Sequence, residues 1–335
     1  MKFTIKPSTV KNYLVIALFC ALPTKALSQN TAGSTVTGAP PPVAAEAAAP
    51  WTYTTGLKRT MFNFKNAVKR DSGFENGFNL DADNYQIGGI AIGQSQAIVN
   101  NKAVNGIVEK RLEQQNYNVS GRVYQRLDNG GRITYRLDRL LANNNGSTGN
   151  EDGVKAWAPK IAYLNPQGDF LYDLEYAKTT YKNGEGLSVK QLVPTIGFAM
   201  NDFSDWINIR AYYITLEGDF TRRQGMSNTK GLDLTWVHYI PSSENTLMPA
   251  SVSMSYFMGK RMYDVNTGTG TIANLDHFQT SGVNYGAVWS LAKNFGLSMN
   301  AGLMAMSEKN TNFAPPPPSQ AYTVKYINAN LTASF

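Results

Sequence analysis

The chain has 335 residues, a formal net charge of +7, 42% hydrophobic and 16% charged residues, and a mean hydropathy of −0.30. That balance excludes a disordered polyelectrolyte. Past the N-terminal leader no apolar run approaches the about 20 residues a membrane helix needs, which excludes a helical inner-membrane protein. One cysteine and two histidines leave no disulfide framework, and no His, Cys or carboxylate cluster has metal-ligand spacing, so neither a metal nor any other cofactor is expected.

At the N-terminus Lys2, Lys6 and Lys11 precede an apolar run from Tyr13 to Leu22, followed by Ala26-Leu27-Ser28 before Gln29. A basic segment, a short apolar core and a small-residue cleavage site are the layout of a secretory signal peptide, here residues 1–28. Phe19 stands before Cys20 where a lipoprotein signal needs a small residue, so the cysteine is expected to leave with the leader. The leader carries four lysines and no acid, so its removal lowers the formal net charge from +7 to +3 and the basic pI ceases to argue for a nucleic-acid partner. Residues 29–50, with Pro40-Pro41-Pro42 and an alanine-rich run, cannot bury a core and read as a flexible periplasmic tail. Residues 51–335 read as one domain.

From Asn116 onward, short turns alternate with long polar loops. The short ones are Asn129 to Gly131, Asn165 to Gly168, Asn201 to Asp205, Pro241 to Leu247 and Ala292 to Asn294. The long ones are Asn143 to Val154, Gly218 to Lys230, Gly259 to Leu275 and Ser307 to Ser319, with a shorter member at Asn183 to Gly186. Short turns on one side and long loops on the other fit a transmembrane β-barrel, and counting back from Phe335 puts every short turn on the periplasmic side. The region from Trp51 to Glu113 is less legible: Tyr85 to Gly93 is glycine-interrupted, Leu57 to Val68 suits a short helix as well as a strand, and Thr54 to Val99 could seal the lumen. The fold expected is an all-β transmembrane antiparallel up-and-down barrel of about 12 strands, with 14 as the alternative.

Three hairpins can be registered by hand. A three-residue turn at Asn129 to Gly131 pairs Asp128 with Arg132, Tyr124 with Arg136 and Arg122 with Asp138, leaving Arg126 opposite Thr134. A turn at Asn165 to Gly168 pairs Tyr163 with Phe170, Ile161 with Tyr172 and Lys160 with Asp173. Around Ala292 to Asn294, Leu291 meets Phe295, Trp289 meets Leu297 and Ser290 meets Gly296. Each register gathers apolar residues on one face and polar ones on the other. A charge facing lipid costs about 2–4 kcal/mol near the midplane, so Arg122, Arg126, Asp128, Arg132, Arg136, Asp138, Lys160, Asp173 and Glu175 are assigned inward as pore-lining residues. Arg126 and Arg136 have no acid directly opposite in this register and are the best candidates for contacting a solute.

Enzyme readings find no support. His238 shares the outward parity with Trp236 and Leu234, but its partner strand offers no serine there. Asp276 and His277 are adjacent, so their side chains diverge. His238 reads as an interfacial residue, His277 as a solvated loop-edge residue, and Gly268 to Ala273 as a flexible loop tip.

The chain closes with Ile327, Ala329, Leu331, Ala333 and Phe335 on one parity and Tyr326, Asn328, Asn330, Thr332 and Ser334 on the other. An amphipathic strand ending on an aromatic carboxy-terminal residue resembles the closing strand of bacterial outer-membrane β-barrels. The resemblance implies that Tyr326, Leu331 and Phe335 serve as the signal read by the barrel-assembly machinery, and that the protein resides in the cell outer membrane among its lipids and lipopolysaccharide. The function expected is porin-like passive diffusion of small polar solutes with a bias toward anions. The alternative is a structural or adhesion barrel without an open pore.

Overall fold

In the computed structural model the described residues are 50–67, 70–104, 107–108, 111–144, 153–181, 186–220, 222–241, 248–273, 277–308 and 320–335. The leader and most of the tail, as well as the loop segments Asn183 to Glu185 and Lys309 to Ser319, lie outside them. Fourteen antiparallel strands close into one barrel. They are β1 (Thr52–Lys65), β2 (Arg70–Asn84), β3 (Gly88–Asn101), β4 (Leu112–Arg126), β5 (Arg132–Asn144), β6 (Val154–Leu164) and β7 (Phe170–Thr180). The second half comprises β8 (Ser188–Met200), β9 (Asp205–Glu217), β10 (Asn228–Tyr239), β11 (Ser251–Arg261), β12 (Phe278–Ala292), β13 (Phe295–Glu308) and β14 (Gln320–Ser334). Each strand pairs with its sequence neighbours, and β14 closes on β1 with Thr54 opposite Ser334 and Lys65 opposite Thr323. Closure leaves no unpaired edge in the wall, which is what a sheet in lipid requires.

The count is the larger of the two anticipated, because residues 52–101 form three wall strands. Leu57 to Lys65 is therefore strand and not helix, Val68 lying outside the described residues, and the described part of Thr54 to Val99 is wall rather than plug. Along β2, Phe74, Phe78 and Leu80 alternate with Glu75, Gly77, Asn79 and Asp81, so the period of two is present but diluted by glycine and asparagine.

The outward parity is predominantly apolar and exposed: Leu57, Met61, Ile90, Ile92, Val119, Val123, Leu137, Ile161, Leu174, Ile196, Leu234, Met254, Leu303, Ile327 and Leu331 are all more than a third accessible. The inward parity carries the polar residues. A barrel apolar outside and polar inside inverts the soluble arrangement and defines a membrane-spanning barrel.

Two of the three hand-set hairpins shift. Arg126 is opposite Arg132, Arg122 opposite Arg136 and Ser120 opposite Asp138, two residues away from the expected register. The turn is longer than three residues: Leu127 N–H donates to Gly131 O at 2.8 Å, the Asn129 side chain accepts from Gly131 N–H at 2.9 Å, and Gly130 takes φ +86°. Asp128 consequently lies in this exposed turn rather than on the wall. The next hairpin shifts equally, with Tyr163 opposite Tyr172, Ile161 opposite Leu174 and Lys160 opposite Glu175. A slip of two preserves every side chain's face, so the inside–outside assignment survives while the partners change. In the third hairpin Trp289–Leu297 and Ser290–Gly296 hold, but an irregularity after Ser290 puts Ala292 rather than Leu291 opposite Phe295.

Candidate functional site: a lumen narrowed by an in-folded hairpin

The loop between β11 and β12 does not stand in solvent. Val265–Asn266 pairs with Thr271–Ile272 as a short hairpin, and Ala273 N–H donates to Asp264 O at 2.9 Å to close its base. Met262, Tyr263, Val265 and Ile272 are 1–2% exposed. They pack against Leu140, Ala142, Val154, Ala156, Ala158, Ala177, Val189, Ile214 and Leu216, which point inward from the extracellular halves of β5 to β9. Alanines at 142, 156, 158 and 177 keep that wall low, so the hairpin seats close to it. Burying such side chains stabilises by about 1.5–3 kcal/mol each, which offsets the ordering of the loop.

Polar contacts fix the hairpin's depth. The Gln191 side chain donates to Val265 O at 2.9 Å and accepts from Val265 N–H at 3.1 Å, forming a two-bond clamp in a dry setting. Gln114 donates to Ile272 O at 2.9 Å. At the tip, Thr267 Oγ1 donates to Glu175 Oε2 at 2.6 Å, and Thr267 O accepts from Arg136 Nη2 at 3.0 Å. Gly270 lies so close to the wall that a Cβ there would meet Asn118 Oδ1 at 2.4 Å. Tyr263, at the bend where the chain turns inward, holds a positive φ of 54°. A non-glycine residue in that region persists only where packing over-determines it, and here the hydroxyl donates to Arg222 O at 3.1 Å and the ring meets Tyr181 edge-on at 5.4 Å.

Of the charged residues read from the sequence as lining the lumen, Arg122, Arg136, Asp138, Lys160 and Asp173 are ion-paired. Arg122 donates to Asp81 at 2.6 and 2.9 Å and to Asp83 at 2.9 Å, with Tyr124 bridging Asp83. Gly89 makes room for this network, since a Cβ there would meet Arg122 Nη2 at 2.8 Å. Arg136 pairs with Asp138 at 2.6 Å and, through Thr267, holds the hairpin. It is therefore not a free cation, contrary to the sequence expectation; its partner is on its own strand, where a search of cross-strand positions does not look. Lys160 pairs with Asp173. Arg126 and Arg132 form no ion pair among the described residues; they lie over the rings of Tyr85 and Tyr124 at 5.7 and 4.7 Å, at the periplasmic ends of their strands.

Sequence reasoning missed Arg261 and Arg210. Arg261 is stacked over Phe257 and Tyr212 at 4.6 and 5.0 Å, donates to Gln279 at 2.7 Å and lies 3.4 Å from Asp264, bracing the hairpin's root. Arg210 lies over the Tyr212 ring at 5.5 Å. His277 is 5% exposed, with Nδ1 hydrogen-bonded to the Tyr322 hydroxyl, so it is not a solvated loop residue. His238 lies outward near the periplasmic end, stacked on Trp236 and 3.0 Å from Asp205 Oδ1.

On the wall opposite the hairpin, β12 to β14 and β1, inward Phe62, Phe64, Met304, Met306, Tyr322 and Val324 form a second apolar cluster toward the extracellular end and Lys58 pairs with Glu75, while the stretch below the cluster on β12 to β14 is neutral and polar. Asn284, Asn300 and Asn328 point inward and remain partly accessible, as do Gly286 and Gly302 between them. Tyr326 donates to Asn284 at 2.9 Å and Asn328 to Thr60 at 2.7 Å. The hairpin's tip residues Gly268 and Thr269 are exposed.

No protein-family model matches the chain, and no curated protein matches it in sequence. Solved structures share its fold. A TodX monoaromatic hydrocarbon channel deltaS2S3 mutant superposes with a TM-score of 0.52 at 8% identity, over 86% of this chain and 91% of that chain. The TodX deltaS2 mutant gives 0.52 at 8% identity over 86% and 90%. The TodX toluene transporter of Pseudomonas putida gives 0.48 at 9% identity over 85% and 90%. The protein has the fold of a bacterial outer-membrane β-barrel: fourteen strands, apolar toward lipid, closed on its own C-terminal strand.

Proposed function

We propose that the protein is an outer-membrane channel for passive diffusion of small polar solutes, its bore narrowed by the hairpin of residues 262–273 to a passage along the asparagine-bearing wall of β12 to β14. The observation that carries the reading is the inner face itself. Fourteen strands fall between the eight whose interior side chains fill and the 16 to 18 of wide aqueous pores, and here inward Asn284, Gly286, Asn300, Gly302 and Asn328, below the apolar cluster of that wall, are small or polar and partly accessible. The named neighbours are hydrocarbon channels, but in this chain the inward apolar wall of β5 to β9 is covered by its own Met262, Tyr263, Val265 and Ile272, and the inward apolar residues of β13, β14 and β1 are packed on one another. That favours a polar cargo.

A bias toward anions rests on Arg126 and Arg132 at the periplasmic mouth, because the deeper cations have carboxylate partners within the about 8 Å Debye length of physiological salt. Planar-bilayer recording tests the proposal: the native chain should give small discrete conductance steps. A chain giving no steps, either intact or with residues 267–271 shortened, would favour the structural barrel instead.

A further inference from the structure

The outer face carries a second charge pattern that a channel does not use. The basic strand residues that point outward among those described are Arg59, Lys65, Arg139, Lys155, Lys178, Lys190, Lys230, Lys260 and Lys325. Arg59 and Arg139 stand at mid-strand and the others lie toward the extracellular ends of their strands; among the described strand residues none lies toward a periplasmic end. They are densest on β5 to β8. Arg139 is registered opposite Trp157, Trp157 opposite Lys178, and Lys178 directly opposite Lys190, while Lys155, on the strand next to Lys178, is opposite Thr180. Trp157 meets the Tyr176 ring edge-on at 5.7 Å beside them.

Directly opposed like charges destabilise a sheet, and side chains on one face of such a pair approach within about 5 Å. Lys190 has partial relief from Glu217 at 2.7 Å, but Lys178, Arg139 and Lys155 have no ion pair among the described residues. An anion supplied from outside the chain would relieve this repulsion. Lys155, Lys178 and Lys190 are the second or third residues from the extracellular ends of their strands, and outward Trp157 and Tyr176 lie beside them, which favours an anion carried on a lipid. We propose that Arg139, Lys155, Lys178 and Lys190 form a docking site for the phosphate-bearing headgroup of an acylated glycolipid of the outer leaflet, its acyl chains lying on Leu174 and Leu192. The lysines on β10 and β11 belong to the same girdle but pair with rings, Lys230 over Tyr213 and Lys260 over Phe278, each at 5.3 Å, so they make the weaker contact.

The test uses the purified mature protein in a neutral detergent, with diphosphoryl lipid A and its enzymatically dephosphorylated form as probes and heat-modifiable gel mobility as the check on folding. The native chain should bind diphosphoryl lipid A and largely lose it when the phosphates are removed. Lys178→Gln with Lys190→Gln should weaken binding about 25-fold, taking a factor of about 5 for each lysine near the headgroup. In lipid-free detergent the same variant should be no less heat-stable than the native chain, because removing both members of a like-charge pair relieves repulsion. Equal affinity of variant and native chain, or indifference of the native chain to dephosphorylation, overturns the proposal. So does protection by inorganic phosphate at comparable concentration, which would make this a soluble-anion site. Should the double variant not fold, Lys178→Gln alone and the dephosphorylation comparison on the native chain decide it.

Discussion

The bond between Thr267 and Glu175 offers the sharpest perturbation of the hairpin. Glu175 is 1% exposed, its Oε1 has no hydrogen-bond partner, and its Oε2 accepts from Thr267 Oγ1 at 2.6 Å. Thr267→Val keeps the shape of the side chain and removes the donor. A hydrogen bond to a charged group contributes about 1.5–3 kcal/mol, and the stranded carboxylate adds to the loss. At about 1.4 kcal/mol per tenfold, the ratio of undocked to docked hairpin should rise about 10- to 150-fold. The barrel wall is untouched, so heat-modifiable mobility should not change. Single-channel recording should then show a higher-conductance level, rare in the native chain, whose occupancy rises by that factor. Thr267→Ser should restore native behaviour, and Glu175→Gln combined with Thr267→Val should be milder than the sum of the two, because the valine no longer strands a charge. If Thr267→Val leaves level occupancies unchanged in a folded barrel, the hairpin does not bound the conducting path and the proposed route is wrong.

Other consequences can be checked on the same preparations. Loss of Cys20 with the leader would leave the mature chain thiol-free, so Thr269→Cys should report alone: a charged thiol reagent should reach this exposed tip residue and lower conductance stepwise. Arg126→Gln with Arg132→Gln should move the reversal potential in a salt gradient toward cations, with a shift that shrinks at high salt. Arg122→Ala leaves Asp81 and Asp83 facing each other without their cation and should lower barrel stability by about 3–5 kcal/mol, read as an earlier heat-modification midpoint. Deleting Phe335, whose backbone exchanges two hydrogen bonds of 2.8 and 3.0 Å with Tyr53 across the closing seam, should reduce the yield of assembled barrel more than the stability of what does assemble.

What was legible in the sequence, and what was not, follows from the period of a strand. Inside and outside are set by parity alone, so Arg122, Arg132 and Lys160 could be assigned to the inner face even though their cross-strand partners were displaced by two positions. Partners depend on turn geometry, and the Asn129 side chain that lengthens its turn leaves no mark on the alternation it interrupts. The three N-terminal strands were obscured for a related reason. Glycines and asparagines toward the lumen, such as Gly73, Gly77, Asn79 and Gly93, weaken the contrast that marks a strand, yet they are what leave space inside the barrel. The hairpin was the hardest feature, because a loop's polarity says nothing about whether it stands out or folds in. The one available signal was the apolar spacing of Met262, Tyr263, Val265 and Ile272 around the Thr-Gly-Thr-Gly turn, since a loop bathed in water gains nothing from burying such residues. Its counterpart lies far away in sequence, in Ala142, Ala156, Ala158 and Ala177. Small inward residues on adjacent strands are wasted in a filled barrel and unnecessary in an open one. Their presence requires something seated against that wall, and the apolar loop between β11 and β12 is what occupies it.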